Sequence, residues 1–270
     1  MRKKQLLSII SVLILATAYY IEHKVNKSSS SVDTTQSTQL PNNGFDFYPS
    51  STTGVVVHHN GYSFSYSEKH EQAEWVAYSL SKQDIVYINR KRPFFIEDPK
   101  VKSQSADWRN YKNSGYNRGH LCPAGDRKAT KTLFDETFYT SNISPQKHDF
   151  NAGIWNNLEQ KVRYWAKKYN HLYIVTGGVL NTNTTLKTIG KENVSVPNYF
   201  YKIILDYTEP EIKAIAFLIP HKSSNKPLYN FVVSIDEIEK LTGIDFFKSL
   251  PDKIEDTLEK SSSYKKWSFR

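Results

Sequence analysis

Alternating apolar and polar positions predict that the folded part of the chain opens with a β-hairpin. Residues 55–58 and 62–66 carry apolar and aromatic side chains in strand-like patterns, and Asn60-Gly61 lies between them. An Asn-Gly pair favours a tight hairpin turn, because both residues tolerate a positive φ.

Four later runs rich in β-branched and aromatic residues predict further strands. They are residues 74–80, 172–176, 199–205 and 212–219. Together with the hairpin, they predict an α+β fold built on a central, mainly antiparallel sheet flanked by helices.

Two helices are predicted by apolar periodicity and by capping residues. The first runs from near Gly153 to about Tyr169, and its apolar face recurs with helical spacing. That face consists of Ile154, Leu158, Val162, Trp165 and Tyr169. The second begins at Ser234, which forms a capping-box pattern with Glu237, and ends near Gly243.

The first 22 residues have the pattern of a secretory signal. A basic start is followed by an apolar run over residues 6–15 and by a small-x-small site that ends at Ala18. The longer run over residues 5–21 also fits an uncleaved anchor in the inner membrane. Either alternative predicts export: a secreted or periplasmic protein, or an anchored one whose domain lies outside the cytoplasm.

Residues 23–50 are rich in Ser, Thr, Asn and Gln and predict a flexible polar linker. Residues 51–265 are predicted to form the functional domain, in which aromatic side chains favour a folded core. A formal net charge of +9 indicates a polyanionic partner such as nucleic acid or an anionic membrane face. Cys122 is the single cysteine, so it has no intrachain disulfide partner, and a small buried filler is its simplest interpretation.

Several side chains suit phosphodiester hydrolysis, which needs a base, a positive centre and help for the departing oxygen. His120 follows Gly119 and is a base of suitable ordinary pKa. Asn151 offers a neutral oxygen ligand of the kind that magnesium accepts, although its position also fits a helix N-cap. Glu159 and Arg163 are one helical turn apart, as in a surface ion pair or in one wall of a site.

These residues belong to a specific series of motifs. Asn117-Arg118-Gly119-His120 is followed by Pro123, and Ser-Asn-Ile-Ser-Pro-Gln at residues 141–146 is followed by Asn151, Trp155 and Leu158-Glu159. The chain resembles the DNA/RNA non-specific endonucleases of the ββα-metal (His-Me finger) superfamily, which include secreted bacterial nucleases and mitochondrial endonuclease G. The resemblance covers roughly residues 54–252.

The resemblance implies a role for each matched position. His120 corresponds to the general base, and Asn151 to the direct protein ligand of a hydrated Mg²⁺ ion, for which Mn²⁺ is an expected substitute. Glu159 corresponds to a carboxylate that holds the ion's water by hydrogen bonds. Asn142 corresponds to the amide beside the histidine. A strand with residues 138–140 and the Glu159 helix are expected to meet His120.

Arginines complete the implied site. Arg163 corresponds to an arginine near the scissile phosphate, and Arg92 is the better candidate for an upstream arginine, with Arg90 as the alternative. Arg118 is expected to support the local structure, and Arg92, Arg118 and Arg163 are expected to contact nucleic acid. Asn117 replaces the signature aspartate and removes its negative charge. If the aspartate receives hydrogen bonds from the loop, Asn117 can partly replace it; if the aspartate tunes the base electrostatically, a different activity or metal preference is expected.

The implied activity is hydrolysis of both DNA and RNA to products that carry 5′-phosphates. One alternative is a phosphodiesterase or pyrophosphatase that acts on small nucleotides, and another is a non-catalytic exported nucleic-acid-binding module. A zinc nuclease would use His120 with His148. A serine hydrolase is disfavoured because no Gly-x-Ser-x-Gly motif occurs. An inhibitor protein or a homodimer partner is left open.

Overall fold

The computed structural model describes residues 46–181 and 183–269. The predicted signal or anchor segment lies outside these residues, as does most of the predicted linker. Residues 46–50, predicted as the end of the linker, instead pack on the domain. Phe47 is buried against Tyr173, with ring centroids 4.7 Å apart, and the Ser50 N–H donates to the Asp245 carbonyl at 2.8 Å.

A seven-stranded antiparallel sheet forms the centre of the domain, which confirms the α+β prediction. The strand order is β1-β2-β3-β6-β9-β10-β11. The strands are β1 Val56–His58, β2 Ser63–Ser67, β3 Gln72–Ser81, β6 His171–Gly178, β9 Tyr199–Asp206, β10 Lys213–Pro220 and β11 Val232–Val233. The predicted hairpin and the four predicted strands are all confirmed within a few residues.

Two separate strand pairs and five helices complete the domain. The pairs are β4 Asn117–His120 with β5 Ile143–Gln146, and β7 Lys187–Ile189 with β8 Val194–Val196. The α-helices of the described residues are α1 Lys131–Glu136, α2 His148–Phe150, α3 Asn156–Tyr169, α4 Ile235–Thr242 and α5 Asp252–Glu259.

Helix α3 packs on one face of the central sheet through the apolar stripe that its sequence predicts. Leu158, Val162 and Trp165 are buried in the same core cluster as Ile174 and Ile204. The C-terminal helices α4 and α5 contact strand β10 of the same sheet. Burial of these large side chains supplies the main favourable free energy of folding.

Helix α4 begins and ends where its sequence predicts. The Ser234 hydroxyl accepts a hydrogen bond from the Glu237 N–H at 3.1 Å, which satisfies one of the free donors of the first turn. Gly243 follows the helix with φ +72°, a left-handed conformation that glycine adopts without steric cost.

The predicted strand over residues 138–140 is wrong. Tyr139 forms only an isolated bridge with Ile96, and residues 140–142 form a 3₁₀ turn. Phe138 packs with Phe134 and Ala124 in a small cluster of its own, so its apolar side chain reflects burial in a turn. The strand that pairs with the His120 strand is β5.

Candidate active site

The β4–β5 hairpin holds His120 at its end. Asn117 lies opposite Gln146, and His120 lies opposite Ile143 in the antiparallel register. Gly119 lies against the Gln146 side chain, and a Cβ added at Gly119 would come within 2.3 Å of Gln146 Cδ. Glycine before His120 therefore allows this close packing, since any larger residue would displace the Gln146 side chain, and its φ is not positive.

Asn151 lies in an irregular helical segment and is not an N-cap. Residues 151–155 form a π-helical turn between α2 and α3, and Gly153 breaks the regular geometry with φ −97° and ψ −112°. Asn151 itself has helical angles, and its N–H donates to the Lys147 carbonyl at 2.9 Å. This geometry excludes the N-cap interpretation, because a cap residue has non-helical angles and uses its side chain on the helix.

A cleft of about 780 Å³ brings the predicted residues together. The hairpin forms one wall, α3 and the 151–155 turn form another, and the extended segment around residues 89–95 forms a third. Seven of the eight predicted site residues line it: Arg92, Asn117, Arg118, His120, Asn151, Glu159 and Arg163. Distant parts of the sequence therefore converge as the motif series predicts.

Asn142 is the exception, because its amide is used entirely by the backbone. Its Oδ1 accepts from the Cys122 N–H at 2.8 Å, and its Nδ2 donates to the carbonyls of Cys122 and Thr137 at 3.0 and 2.9 Å. The side chain is fully buried and does not line the cleft. Asn142 therefore fixes the loop that follows His120 and does not reach the substrate space.

The His120 imidazole is held by aromatic packing, and its ring nitrogens make no hydrogen bond to the part of the chain that the structure describes. Phe138 lies edge-on at 5.0 Å and Phe95 lies at 5.6 Å, measured between ring centroids. Nε2 is buried and has no hydrogen-bond partner among the described residues. Burial, with the nearby charge of Arg92, lowers the pKa of His120 to about 3. The ring is therefore neutral near pH 7, which is the form that can accept a proton.

Glu159 lines the cleft and interacts electrostatically with a buried lysine behind it. Burial raises the pKa of Glu159, and the ammonium of Lys202 on β9 opposes this rise. Lys202 is fully buried, its Nζ lies 4.8 Å from the centre of a Trp155 ring, and it has no hydrogen-bond partner among the described residues. Burial lowers the pKa of Lys202, and Glu159 and Asp126 oppose that effect.

Arg163 pairs with Asp126 and not with Glu159. Its Nη1 donates to Asp126 Oδ1 at 2.7 Å, and Tyr78 donates to the other Asp126 oxygen at 3.2 Å. Burial disfavours the Arg163 charge, but Asp126 more than offsets this and raises its pKa. Of the two alternatives for Glu159 and Arg163, the surface ion pair is therefore wrong, and both side chains instead line the cleft. Asp126 and Lys202 were missed, because each stands alone in a segment whose pattern predicts only structure.

The structure separates the two upstream arginines. Arg90 donates from Nε to the Lys128 carbonyl at 2.7 Å and from Nη2 to the Ala129 carbonyl at 3.0 Å, so it ties two loops together. Arg92 has no such bonds among the described residues and lies over the Phe138 ring at 5.7 Å. Arg92 is therefore the arginine available to an anion in the cleft.

The zinc alternative requires His148 to act with His120, but the His148 ring is hydrogen-bonded to Asn117. Its Nδ2 lies 3.2 Å from Nδ1 of His148 at the exposed edge of the cleft. Within residues 46–181 and 183–269, the groups of three or more His, Cys, Asp and Glu close enough to hold a metal lie only among C-terminal carboxylates, and neither His120 nor His148 is among them. The geometry gives the zinc site no support.

The oxygen donors in the cleft fit a hard divalent cation. The side chains of Asn151 and Glu159 make no hydrogen bond or salt bridge to the rest of the described domain, although both line the cleft. An amide and a carboxylate left free in this way offer oxygen ligands and room for water, as Mg²⁺ prefers. Cys122, in contrast, is fully buried, and burial raises the pKa of its thiol to about 12, so it is a filler.

Comparison with known proteins assigns the chain to the nucleases. The profile described as DNA/RNA non-specific endonuclease matches residues 36–253. The chain therefore belongs to the DNA/RNA non-specific endonuclease family, and the predicted resemblance is confirmed.

Individual relatives agree with this assignment. The mitochondrial nuclease EXOG of Danio rerio is 34% identical over 256 residues, which are 88% of this chain and 71% of that protein. The EXOG of Mus musculus is 35% identical over 208 residues, which are 71% of this chain and 56% of that protein. A solved structure of the EndoG/EndoGI complex matches with a TM-score of 0.69 and 29% identity, covering 73% of this chain and 87% of that one.

The comparisons contradict the predicted export. The EXOG and endonuclease G relatives are named as mitochondrial nucleases, not as secreted or periplasmic ones. The prediction of a secreted, periplasmic or outward-facing anchored nuclease is therefore withdrawn. Across residues 46–181 and 183–269, the helices are too short or too polar to cross a membrane.

Proposed function

We propose that the protein is a magnesium-dependent endonuclease that hydrolyses both DNA and RNA and leaves 5′-phosphates. The convergence of His120, Asn151 and Glu159 with Arg92 and Arg163 in one cleft is the observation that supports it. Asn151 would hold the ion directly, and Glu159 would orient its water. When bound, Mg²⁺ would offset the negative charge of the transition state and assist the departing 3′-oxygen.

His120 is assigned as the general base. Its neutral imidazole lines the cleft with both nitrogens unengaged by the described residues, so it can take a proton from a water molecule that attacks the phosphorus in line. Aromatic packing by Phe95 and Phe138 fixes the ring plane. A positioned base of this kind contributes about 10²- to 10⁴-fold to a rate.

Arg92 and Arg163 are assigned to the phosphate. Arg163 is oriented by Asp126, and Arg92 is free of hydrogen bonds within the described domain. Guanidinium groups bind phosphate oxygens without reading bases, so little sequence preference is expected. The mechanism uses no 2′-hydroxyl, so both DNA and RNA serve as substrates.

The proposal is tested with the full chain on supercoiled plasmid and on long single-stranded RNA. Both should be cut with Mg²⁺ and neither with EDTA. His120→Ala should lower the rate by 10²-fold or more, with an unchanged circular dichroism spectrum. Cleavage by His120→Ala at the wild-type rate would remove His120 as the base.

The matched control is His148→Ala. His148 is the other histidine at this edge, but it is exposed and its ring is hydrogen-bonded to Asn117. The variant should keep wild-type activity. A loss equal to that of His120→Ala, with activity restored by Zn²⁺, would favour the zinc alternative. Cleavage of dinucleotides but not of plasmid or RNA would favour the small-nucleotide enzyme, and binding without cleavage would favour a non-catalytic module.

A further inference from the structure

A second groove, of about 550 Å³, lies beside the cleft between residues 107–114 and the β7–β8 hairpin. Three exposed lysines line it: Lys112, Lys187 and Lys191. None of them has a salt-bridge partner within the described domain. The groove therefore presents cationic charge that the fold itself does not neutralise.

The two acidic residues of the groove bind neighbouring groups of the groove wall. Asp107 accepts from the Arg109 N–H at 2.7 Å and pairs with the Arg109 guanidinium. Glu192 accepts from the Asp107 N–H at 2.8 Å and from the Asn110 amide. Both carboxylates hold the groove wall together, and the four cationic side chains that line the groove, Arg109, Lys112, Lys187 and Lys191, leave its formal charge net positive.

The groove is rigid because Asn110, in one wall, is hydrogen-bonded to the β7–β8 hairpin in the opposite wall. Asn110 Oδ1 accepts from the Glu192 N–H at 3.1 Å. Gly190 lies against Asn110 with φ +70°, and a Cβ added there would come within 2.1 Å of Asn110 Oδ1. Beneath the groove, Ile189 packs in one cluster with Ile143 of β5, the strand that pairs with the His120 strand.

An alternating series of aromatic and guanidinium groups joins the groove to His120. Phe95 lies beside His120, and the Arg118 guanidinium lies 4.9 Å from the centre of the Phe95 ring and 5.7 Å from that of Trp108. Arg109 lies on Trp108 at 5.3 Å. Alternating cations and aromatic faces suit a strand of nucleic acid, because cations bind phosphates and aromatic faces accept bases.

A contact between Lys187 and Tyr116 also connects the groove to the cleft. Lys187 Nζ lies 5.3 Å from the centre of the Tyr116 ring, and Tyr116 lines the cleft. The lysines of the groove are thus continuous with the wall that carries the signature motif.

We propose that this lysine groove binds the backbone of the polynucleotide on one side of the scissile phosphate. The inference rests on the proposed function for the identity of the ligand, a nucleic-acid strand longer than the cleft itself holds. It predicts that long substrates bind more tightly than short ones, through phosphate contacts that carry no sequence information.

The test compares two triple variants of the full chain. Lys112→Gln/Lys187→Gln/Lys191→Gln removes the groove charge, and Lys240→Gln/Lys248→Gln/Lys253→Gln removes the same charge from exposed positions outside both the cleft and the groove. Binding to a fluorescent 30-base-pair duplex and to a hexanucleotide is measured by anisotropy in EDTA between 50 and 200 mM salt. Thermal unfolding establishes that both variants are folded.

The groove variant should bind the duplex on the order of tenfold more weakly than the control variant. The slope of log affinity against log salt should fall by about 2 to 3, since each lost phosphate contact removes about 0.9. Hexanucleotide affinity should change by less than about twofold if the groove lies beyond the cleft-bound segment. Equal duplex binding and equal slopes in the two triple variants would overturn the inference.

An anionic lipid headgroup offers the same phosphate chemistry, so phosphatidylserine vesicles form the second arm. Loss of vesicle binding with unchanged duplex binding would overturn the assignment to nucleic acid. Because binding is measured without metal, the groove result is independent of catalysis. If the wild-type chain cuts nothing but the groove variant loses duplex binding, the proposed function is refuted. The assignment of the groove to nucleic-acid binding would then still stand.

Discussion

Two buried lysines on neighbouring strands of the central sheet have opposite surroundings. Lys213 on β10 lies directly opposite Asp206 on β9, and the two side chains form a salt bridge of 2.8 Å. Lys202, also on β9, faces a Trp155 ring and has no hydrogen-bond partner within the described domain. Both are almost completely buried, but only one has its charge neutralised by direct contact.

The difference predicts a structural role for Lys213 and a functional role for Lys202. Burying an ammonium group costs several kcal/mol unless a partner offsets the loss of hydration. Lys213 meets this requirement through Asp206 and does not line the cleft. Lys202 lies behind the cleft, where its charge acts on Glu159 and Asp126. Poorly compensated buried charges of this kind concentrate at functional sites.

Breaking the structural pair should have the largest effect. Lys213→Met leaves Asp206 buried without its cation and should lower the free energy of unfolding by about 3–5 kcal/mol. Urea unfolding measures this loss, and kcat/KM of the folded fraction should stay within about twofold of wild type. A stability change below 1 kcal/mol would show that the pair contributes little.

Lys202→Met should have the opposite profile. The unfolding free energy should change by less than about 1 kcal/mol or rise, because an uncompensated buried charge is removed. Activity on plasmid should fall by roughly 10- to 100-fold through the loss of electrostatic support for Glu159, and Lys202→Arg should restore part of it. Normal activity in a stable Lys202→Met protein would contradict the functional assignment.

The pH dependence of activity should also distinguish Lys202 from Lys213. Burial raises the pKa of Glu159 and Lys202 opposes this, so the carboxylate form is present above the raised pKa and is lost as pH falls through it. Activity should therefore fall on the acid side near neutral pH. In Lys202→Met this limb should move to higher pH by on the order of one unit, whereas Lys213→Met should not move it. If activity falls at the same acid pH in wild type, Lys202→Met and Lys213→Met, Lys202 does not influence the titration of Glu159.

Asn117→Asp should have the smallest effect. It restores the signature aspartate at the edge of the cleft, where the partner is the exposed His148. Charge pairs at such exposed positions contribute little, about 0–1 kcal/mol. We expect kcat/KM on plasmid to change by less than about threefold. An increase of more than tenfold would show that the missing charge limits catalysis.

The sequence predicted the strands and the long helix well because their signals are local. Alternation, β-branched runs and helical spacing each describe a few neighbouring residues, as in β9 and in the Leu158–Val162–Trp165 face of α3. Residues 138–140 were misread because apolar side chains buried in a turn carry the same local signal as a strand. The turn at residues 151–155 was missed because the apolar spacing that predicts the helix carries no sign of the non-helical φ and ψ of Gly153.

The site was predicted in part. The ordered motifs predicted His120, Asn151 and Glu159, and all three side chains line one cleft. Asn142 belongs to the same motifs, yet only its three backbone hydrogen bonds reveal that it holds a loop. Asp126 and Lys202 gave no signal, because a single charged residue in a loop or in an apolar strand does not identify its partner.

The sequence by itself determined the family, the strand and helix segments and the chemical groups of the site, since motif order and periodicity are properties of the chain. Only the tertiary structure decided which charges are paired, which amides are free, and that a lysine groove adjoins the cleft. Those features depend on contacts between residues as distant in sequence as Lys202 and Trp155 or Lys187 and Tyr116. Burial then sets their energetics, because the same charge that is weakly coupled in water interacts strongly inside the protein.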